Sequence, residues 1–448
     1  MLLEFKVANY RSIGDEQTLS LVPAPKQKDH PQNIFENGRY KALNAVALYG
    51  PNGGGKSNVL RAMSLLDLLV HTSARSASTA RLPHDPFLLR EGWENKPTQL
   101  EITFVLGGED RYRYGLAFDA EKVRREWLYR KSLGREVVLF EREDDTIDVS
   151  SGFRVPAKIL DAAIEATRDN ALFLSVCDML NIEEAKRILQ WFWHFRMVDG
   201  LNTETQEIQT VRLWEKNEYR EKIQGFLTSL NLNIVGLDID TKEFDESDLP
   251  EDMPTETRDR LSNRLRGKHG YSVLARHRRY DASGQPTADT QIWPWKERES
   301  SGAKKAFQLS GPVLWALANG GVFIIDEFEA SMHPLLTLST IDAFLDNTSN
   351  PHHAQLIFAT HDTNLLSYAK LRRDQICFAE KNKWESTELY ALSDFVYFGE
   401  SNGEFTSEKE RPDTDKEKRY FEGRYGAIPA LGNFHNFIRN FQWPKEEK

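Results

Sequence analysis

The stretch Gly50-Pro51-Asn52-Gly53-Gly54-Gly55-Lys56-Ser57 constrains this chain more than any other. It fits G-x-x-x-x-G-K-[ST], a loop whose backbone N–H groups close around a phosphate chain. The pattern carries weight only between a strand and a helix. Ala45-Val46-Ala47-Leu48-Tyr49 reads as a buried strand before it. The residues from Ser57 to about Val70 read as a helix after it, with Val59, Leu60, Met63, Leu66 and Val70 on one face. That helix points its positive end at the place where phosphates would sit. The spacing assigns Lys56 to the β- and γ-phosphates and the Ser57 hydroxyl to Mg²⁺.

A second segment completes the pattern. Gly321-Val322-Phe323-Ile324-Ile325-Asp326-Glu327 is an apolar strand ending in two acids. A buried strand delivers such acids at its carboxyl end, the edge where ligands sit in sheets of this kind. Asp326 is expected to hold Mg²⁺ through water, and Glu327 to orient and deprotonate an attacking water. The next apolar strand, Gln355-Leu356-Ile357-Phe358-Ala359-Thr360, ends at His361-Asp362. His361 is placed to hydrogen-bond a γ-phosphate and report its presence.

Composition sets the bounds. A length of 448 residues suits two or three domains, or one large domain with insertions. Hydrophobic residues make up 40% of it, enough for a sizeable core. It has no run of about 18 apolar residues and no secretion-type N-terminus, so neither a membrane span nor export is expected. Its two cysteines, Cys177 and Cys377, sit far apart in apolar surroundings. They read as buried thiols of a reducing compartment, which points to the cytoplasm. The net charge of −10 means that any nucleic-acid contact has to come from a local basic patch.

Along the chain, residues 2–7 and 17–22 read as strands and 23–41 as a polar loop. Residues 71–95 read as irregular. Four antiparallel strands are expected at 99–105, 111–118, 123–129 and 136–141. Helical periodicity covers 159–167, 182–195 and 210–230, and a strand returns at 233–239. Trp191, Phe192, Trp193 and Phe195 read as core packing or as a base-stacking surface. An acidic loop at 244–257 precedes the dense basic run Arg258, Arg260, Arg264, Arg266, Lys268, Arg276, Arg278 and Arg279. That run reads as a solvated hairpin or as a patch for nucleic acid or an acidic partner. Arg264 and His269 also stand at an R-x4-H spacing used by some metal-independent ribonucleases.

The order of motifs is glycine loop, then Glu299-Ser300-Ser301-Gly302, then the acidic strand end, then Ser331-Met332-His333-Pro334, then Thr360-His361. It resembles the ABC-type ATPases of the RecF/SMC/Rad50 branch, and more closely the stand-alone bacterial ATPases of phage-defence and abortive-infection loci. Asn9-Tyr10-Arg11-Ser12 is similar to that family's N-terminal N-[FY]-[KR]-S. Gly50 to Asn58 is similar to its G-x-N-G-x-G-K-S-N, and Asp326 to Pro334 to its D-E-x-x-x-x-x-H-P. Gly423-Arg424-Tyr425-Gly426-Ala427-Ile428-Pro429 resembles its tail. The resemblance implies an α/β fold, an ABC-type P-loop NTPase head with a mixed sheet and flanking helices, an antiparallel β-subdomain and a helical insertion. The implied division is 1–150, 151–231, 232–398 and 399–448. Implied too are ATP and Mg²⁺ at Asn52, Gly53, Gly55, Lys56, Ser57, Asn58 and Asp326, with Arg11 near the nucleotide. In the family two heads face each other. Ser300 and Gly302, opening a helix from about Ala303 to Ala318, would close over the γ-phosphate held by the other head. Two departures stand out: the motif is not the transporter L-S-G-G-Q, and Ala303 stands where relatives often have threonine. The family's Q-loop glutamine has no clear counterpart; Gln99 is the candidate.

About 240 residues separate Ser57 from Ser300 without sustained heptads, which excludes a long coiled-coil arm. Fewer than 90 follow His361, too few for the Toprim nuclease domain of related enzymes. The aromatic end, with Phe421, Tyr425, Phe434, Phe437, Phe441 and Trp443, is expected to pack on the head or to dock a partner. The sequence therefore reads as an ATP-binding and ATP-hydrolysing head that forms a homodimer or higher oligomer and gates a separate effector, a nuclease or toxin. The alternatives are a RecF-like DNA-binding protein and a self-contained nuclease.

Overall fold

The computed structural model describes residues 1–25, 27–201, 204–230, 232–250, 253–267, 269–401, 404–409 and 414–428. Two compact units are present, one from Met1–Trp193 with the chain from Ile357 onward, the other from His194–Leu356. Both are mixed α/β. The expected boundaries at 150 and 398 fall inside the first unit and that at 231 inside the second.

The first unit contains a seven-stranded antiparallel sheet. Its order is Thr146–Val149, Val137–Glu143, Val123–Lys131, Asp110–Phe118, Thr98–Leu106, Leu2–Ala8 and Gln17–Ser20. The helices that follow the sheet in sequence pack back onto it. Trp191, on the helix Glu183–Phe192, stacks on Phe104 with ring centroids 4.0 Å apart. The buried Glu126 carboxylate accepts the N–H groups of Phe173 and Leu174 and the Tyr114 hydroxyl. It thereby satisfies donors that open the helix Phe173–Met179. The aromatic run is thus partly core: Trp191 and Phe192 are buried, whereas Trp193 is exposed.

The strand Ala45–Tyr49 is buried along its whole length, as expected of a parallel strand covered on both faces. It pairs in parallel with Ile376–Lys381, which pairs antiparallel with Thr387–Ala391. A buried ion pair fixes the start of Ile376–Lys381. Arg372, 1% exposed, donates to both carboxylate oxygens of Asp374 at 2.9 Å. The segment 23–41, expected as a loop, contains a hairpin of Ile34–Asn37 and Tyr40–Leu43.

In the second unit Phe195–Asp199 runs parallel to Val322–Asp326, with Asp199 opposite Asp326. The helix expected to reach Phe195 therefore stops earlier, at Phe192. The helical stretch expected at 210–230 is two helices, Glu204–Trp214 and Asn217–Ser229, broken at Lys216 in an extended conformation. Both pack on the helix Ser301–Asn319. Pro312 inside that helix cannot donate to the Gln308 carbonyl. The Thr210 hydroxyl donates to it instead at 3.0 Å. An antiparallel sheet of Ile234–Glu243, His269–Tyr280 and Pro286–Pro294 covers Trp295 and Phe307. The basic run is thus a helix, Thr255–Leu265, followed by the strand His269–Tyr280, which forms a hairpin with Pro286–Pro294, so the expected hairpin holds only the second half of the run. Among the described residues no helix is long and apolar enough to cross a membrane.

Candidate functional site

The glycine loop joins the buried strand Ala45–Tyr49 to the helix Lys56–Thr72. Two glycines are demanded by close approach. At Gly50, with φ +148°, a Cβ would lie 2.1 Å from the Ala379 carbonyl oxygen. At Gly55, with φ +107°, it would lie 2.0 Å from Thr387 Oγ1. The helix opens on Gly55 with no side-chain cap and no acid in its first turn. Such an N-terminus favours an anion. Asn52 and Gly53 are exposed at the tip of the loop, and Lys56 is 5% exposed.

Lys56 bends back over its own loop. Its Nζ donates to the carbonyl oxygens of Gly50 at 2.9 Å and Pro51 at 3.2 Å, and lies 3.1 Å from His361 Nε2. An ammonium only donates, so in this contact His361 Nε2 is the accepting atom. The structure thus brings together two residues that the sequence singled out 305 positions apart. His361 follows the strand Gln355–Ala359, and the Thr360 N–H donates to Leu48 O of the loop's strand.

The N-terminal motif reaches the loop through Ser12. Asn58 Nδ2 donates to Ser12 Oγ at 2.7 Å, and Ser12 Oγ lies 2.8 Å from Thr387 Oγ1. Thr387 in turn donates to Gly54 O at 3.0 Å. Arg11, with φ +51°, pairs with Asp85 at 2.8 Å. Asn9 is buried and bonds the carbonyls of Trp93 and Lys96. Gln99 lies in the strand Thr98–Leu106, opposite Ala8 and Ala117.

In the second unit, Asp326 ends its strand 4% exposed, and Glu327 follows with φ +50°, a conformation that non-glycine residues rarely adopt. The Gly200 N–H donates to Asp326 O at 2.8 Å. A Cβ at Gly200 would lie 2.1 Å from Glu327 O. Ser300 caps the helix Ser301–Asn319, its Oγ accepting the Ala303 N–H at 3.1 Å, which leaves the hydroxyl hydrogen as a donor. Ser300, Gly302, His333 and Leu335 line a cleft of about 330 Å³. His333 caps the helix Pro334–Leu345 by accepting the Leu335 N–H. Burial pushes Lys305, on the same helix as Gly302, down to about 8, against the opposing pull of Asp199 and Glu329.

The basic segment is less concentrated than its sequence. Arg276 pairs with Asp238, and Arg258 donates to Pro250 O. Arg260, Arg264, Arg266, Arg278 and Arg279 are exposed. Lys268 lies outside the described residues, and His269 opens the strand His269–Tyr280. His277 stacks on Trp293, and both bond the Glu299 carboxylate at 2.7 Å, immediately before Ser300.

The tail motif packs on the first unit. Tyr425 is fully buried beside Phe378, and Glu380 accepts the Ala427 N–H at 2.6 Å. Glu417, on the helix Lys416–Phe421, accepts the hydroxyls of Thr363 and Ser367, just beyond His361. Phe421 is exposed, whereas Pro429, Phe434, Phe437, Phe441 and Trp443 lie outside the described residues.

The donors suit Mg²⁺ in kind. The Ser57 hydroxyl of the first unit and the Asp326 carboxylate of the second are each a hard oxygen donor, and this ion keeps several waters and borrows phosphate oxygens. Among the described residues no three acids, histidines or cysteines cluster as a metal cage, an arrangement this ion does not need. Sequence reasoning missed Ser12, Thr387, Gly200, Lys305 and Glu417. Ser12 lay inside a quoted motif. The others are small or charged residues whose roles depend on partners distant in sequence.

A search of curated proteins finds no match. Solved structures that match include the SMC head domain from Thermotoga maritima, 12% identical over 87% of this chain and 98% of that one, with a TM-score of 0.38. The SMC head bound to the C-winged helix domain of ScpA is 14% identical over the same shares, with a TM-score of 0.40. The recombination mediator protein RecF of the RecFOR pathway is 14% identical, again over 87% and 98%, with a TM-score of 0.30. Residues 45–367, well over half of the chain, match the family described as AAA domain, putative AbiEii toxin, type IV TA system, and the chain belongs to that family.

Proposed function

We propose that this chain is an ATP-hydrolysing, ABC-type ATPase whose ATP-bound heads assemble with one another and gate a separate effector, a nuclease or toxin, in antiviral defence. The observation that carries the reading is the glycine loop with Lys56 held against His361. Phosphate arriving in the loop offers Lys56 a better partner than two carbonyl oxygens. As Lys56 turns to the phosphate, His361 Nε2 loses its donor, and a proton on Nε2 then lets the ring donate to the γ-phosphate. The contact is thus a sensor of an occupied loop.

The other roles follow the motifs. Asn52, Gly53, Gly55 and Asn58 shape the phosphate cradle, and Arg11 lies alongside the nucleotide. Ser57 and Asp326 would hold Mg²⁺, which neutralises phosphate charge. Glu327 is the base for the attacking water. Ser300 and Gly302 offer a hydroxyl and a helix N-terminus to the nucleotide of a second head. The family's description, which names a putative toxin and a type IV toxin–antitoxin system, supports a place in a system of that kind. ATP can stabilise the assembled state only by its differential affinity for it.

The test is the native mass of tagged Glu327→Gln protein, purified with ATP from its own host with neighbouring genes intact. We expect slowed hydrolysis and a defined assembly holding a stoichiometric second protein; Lys56→Ala prevents that assembly. Normal hydrolysis by Glu327→Gln removes the base assignment. A bare monomer or homodimer removes effector gating. It turns attention to a DNA-binding reading, for which the exposure of Arg260, Arg264, Arg266, Arg278 and Arg279 is the supporting observation. That reading requires steeply salt-dependent DNA binding, lost on charge reversal at those residues.

A further inference from the structure

The helix Ser301–Asn319 carries two adjacent lysines that the fold treats differently. Lys304 stays near the surface and donates to Lys296 O. Lys305 is 3% exposed, and its Nζ donates to Gly200 O. Gly200 in turn donates its N–H to Asp326 O and packs against the Glu327 carbonyl with no room for a Cβ. Both backbone polar groups of Gly200 are therefore engaged. One is tied to the acidic strand end and the other to the helix that Ser300 caps.

We propose that Lys305 is a positioning residue for ATP hydrolysis, a bracket that fixes the Asp326-Glu327 backbone to the helix of the Ser-Gly motif and so holds the Glu327 carboxylate in its working place. This rests on the reading of Glu327 as the base. Two physical arguments support it. A buried ammonium is costly, and an apolar side chain of similar length would fill the same space at lower cost. Packing alone therefore does not account for a lysine here. Glu327 also holds a backbone conformation that persists only where its surroundings over-determine it. Gly200, clamped from both sides, lies against the Glu327 carbonyl, which also accepts the Ala330 N–H. The carboxylates of Asp199 and Glu329 lie near enough to favour the charged lysine, so the bracket is a charge-assisted one.

The bracket also links two events. Whatever settles on the helix N-terminus at Ser300 and Gly302 pulls on a helix that carries Lys305 one turn further in. The Glu327 position then depends on the occupancy of the Ser-Gly motif.

The test is steady-state ATPase kinetics of Lys305→Met, alone and combined with Glu327→Gln, beside the wild type and Glu327→Gln. We expect Lys305→Met to lower kcat on the order of 10–100-fold with KM unchanged, the size of effect that a misplaced catalytic group produces. In the Glu327→Gln background the same change leaves the residual rate where it was, because Lys305 acts through the carboxylate already removed. Should Lys305→Met fail to fold, Lys305→Gln is measured in its place. An unchanged kcat, a rise in KM alone, or an equal further loss in the double variant overturns the proposal. Glu327→Gln that turns over like the wild type overturns the base assignment instead, so the two failures are distinguishable.

Discussion

Lys305→Met should make the protein more stable near neutral pH while making it slower, and the gain should vanish as pH rises. The magnitude follows from the burial of Lys305. Its ordinary value of 10.5 is pushed down to about 8 in the folded chain. At roughly 1.36 kcal/mol per unit, that displacement is about 3 kcal/mol. The sign is fixed by proton counting. Between pH 8 and 10.5 the unfolded chain binds a proton at this lysine that the folded chain has released. Stability therefore rises with pH across that window. Below pH 8 both states are charged, and the folded state carries the full burial cost. Methionine has no such cost. Urea unfolding of both proteins from pH 7 to 10.5 measures the difference, which cancels every other titrating group. We expect the advantage of the variant to shrink by about 3 kcal/mol across the series. A difference that stays flat with pH refutes the burial argument, because it would mean that Lys305 keeps its proton as readily folded as unfolded.

Two further outcomes are expected. Gly55→Ala places a methyl group 2.0 Å from Thr387 Oγ1, so the loop must shift by about an ångström, and turnover should fall roughly 10²-fold; wild-type kinetics would show that the loop's geometry is not the working one. Asp374→Ala leaves the buried Arg372 without its bidentate partner and should cost about 3–5 kcal/mol in urea unfolding, against well under 1 kcal/mol if that pair is not formed.

What the sequence revealed depended on how far apart the determinants lie. The glycine loop was legible because strand, turn and helix are contiguous, and its chemistry restricts each position to a few residue types. The acidic strand end was legible for the same reason. The strand Phe195–Asp199 was not. The run from Trp191 to Val198 is apolar enough to satisfy a helical or an extended period, and periodicity alone does not separate them. What decides is a pairing with Val322–Asp326 more than a hundred residues away. Gly321 permits it by leaving space for the His194 carbonyl, which would lie 2.3 Å from a Cβ. The break between Glu204–Trp214 and Asn217–Ser229 was hidden similarly, because Trp214 and Tyr219 are both buried in one core that a continuous helical period seemed to serve.

Several of the residues that escaped sequence reasoning share a physical role: they hold backbone in place. Thr387 supports Gly54, Gly200 supports Asp326, and Thr210 supports the carbonyl that Pro312 strands. Each pair has one member with a local signature, a glycine-rich loop, an acidic strand end or a proline inside a helix. The other member is chosen by tertiary register and has no signature at all. Lys305 is the extreme case. Its neighbour Lys304 has the same side chain and the same local sequence, and only the roughly 100° between successive helical positions sends one toward the surface and the other to Gly200. A charge on a helix is ordinarily read as a solvated face. Here the informative fact is that the fold accepts the cost of burying it against Gly200, whose own N–H holds the Asp326 carbonyl.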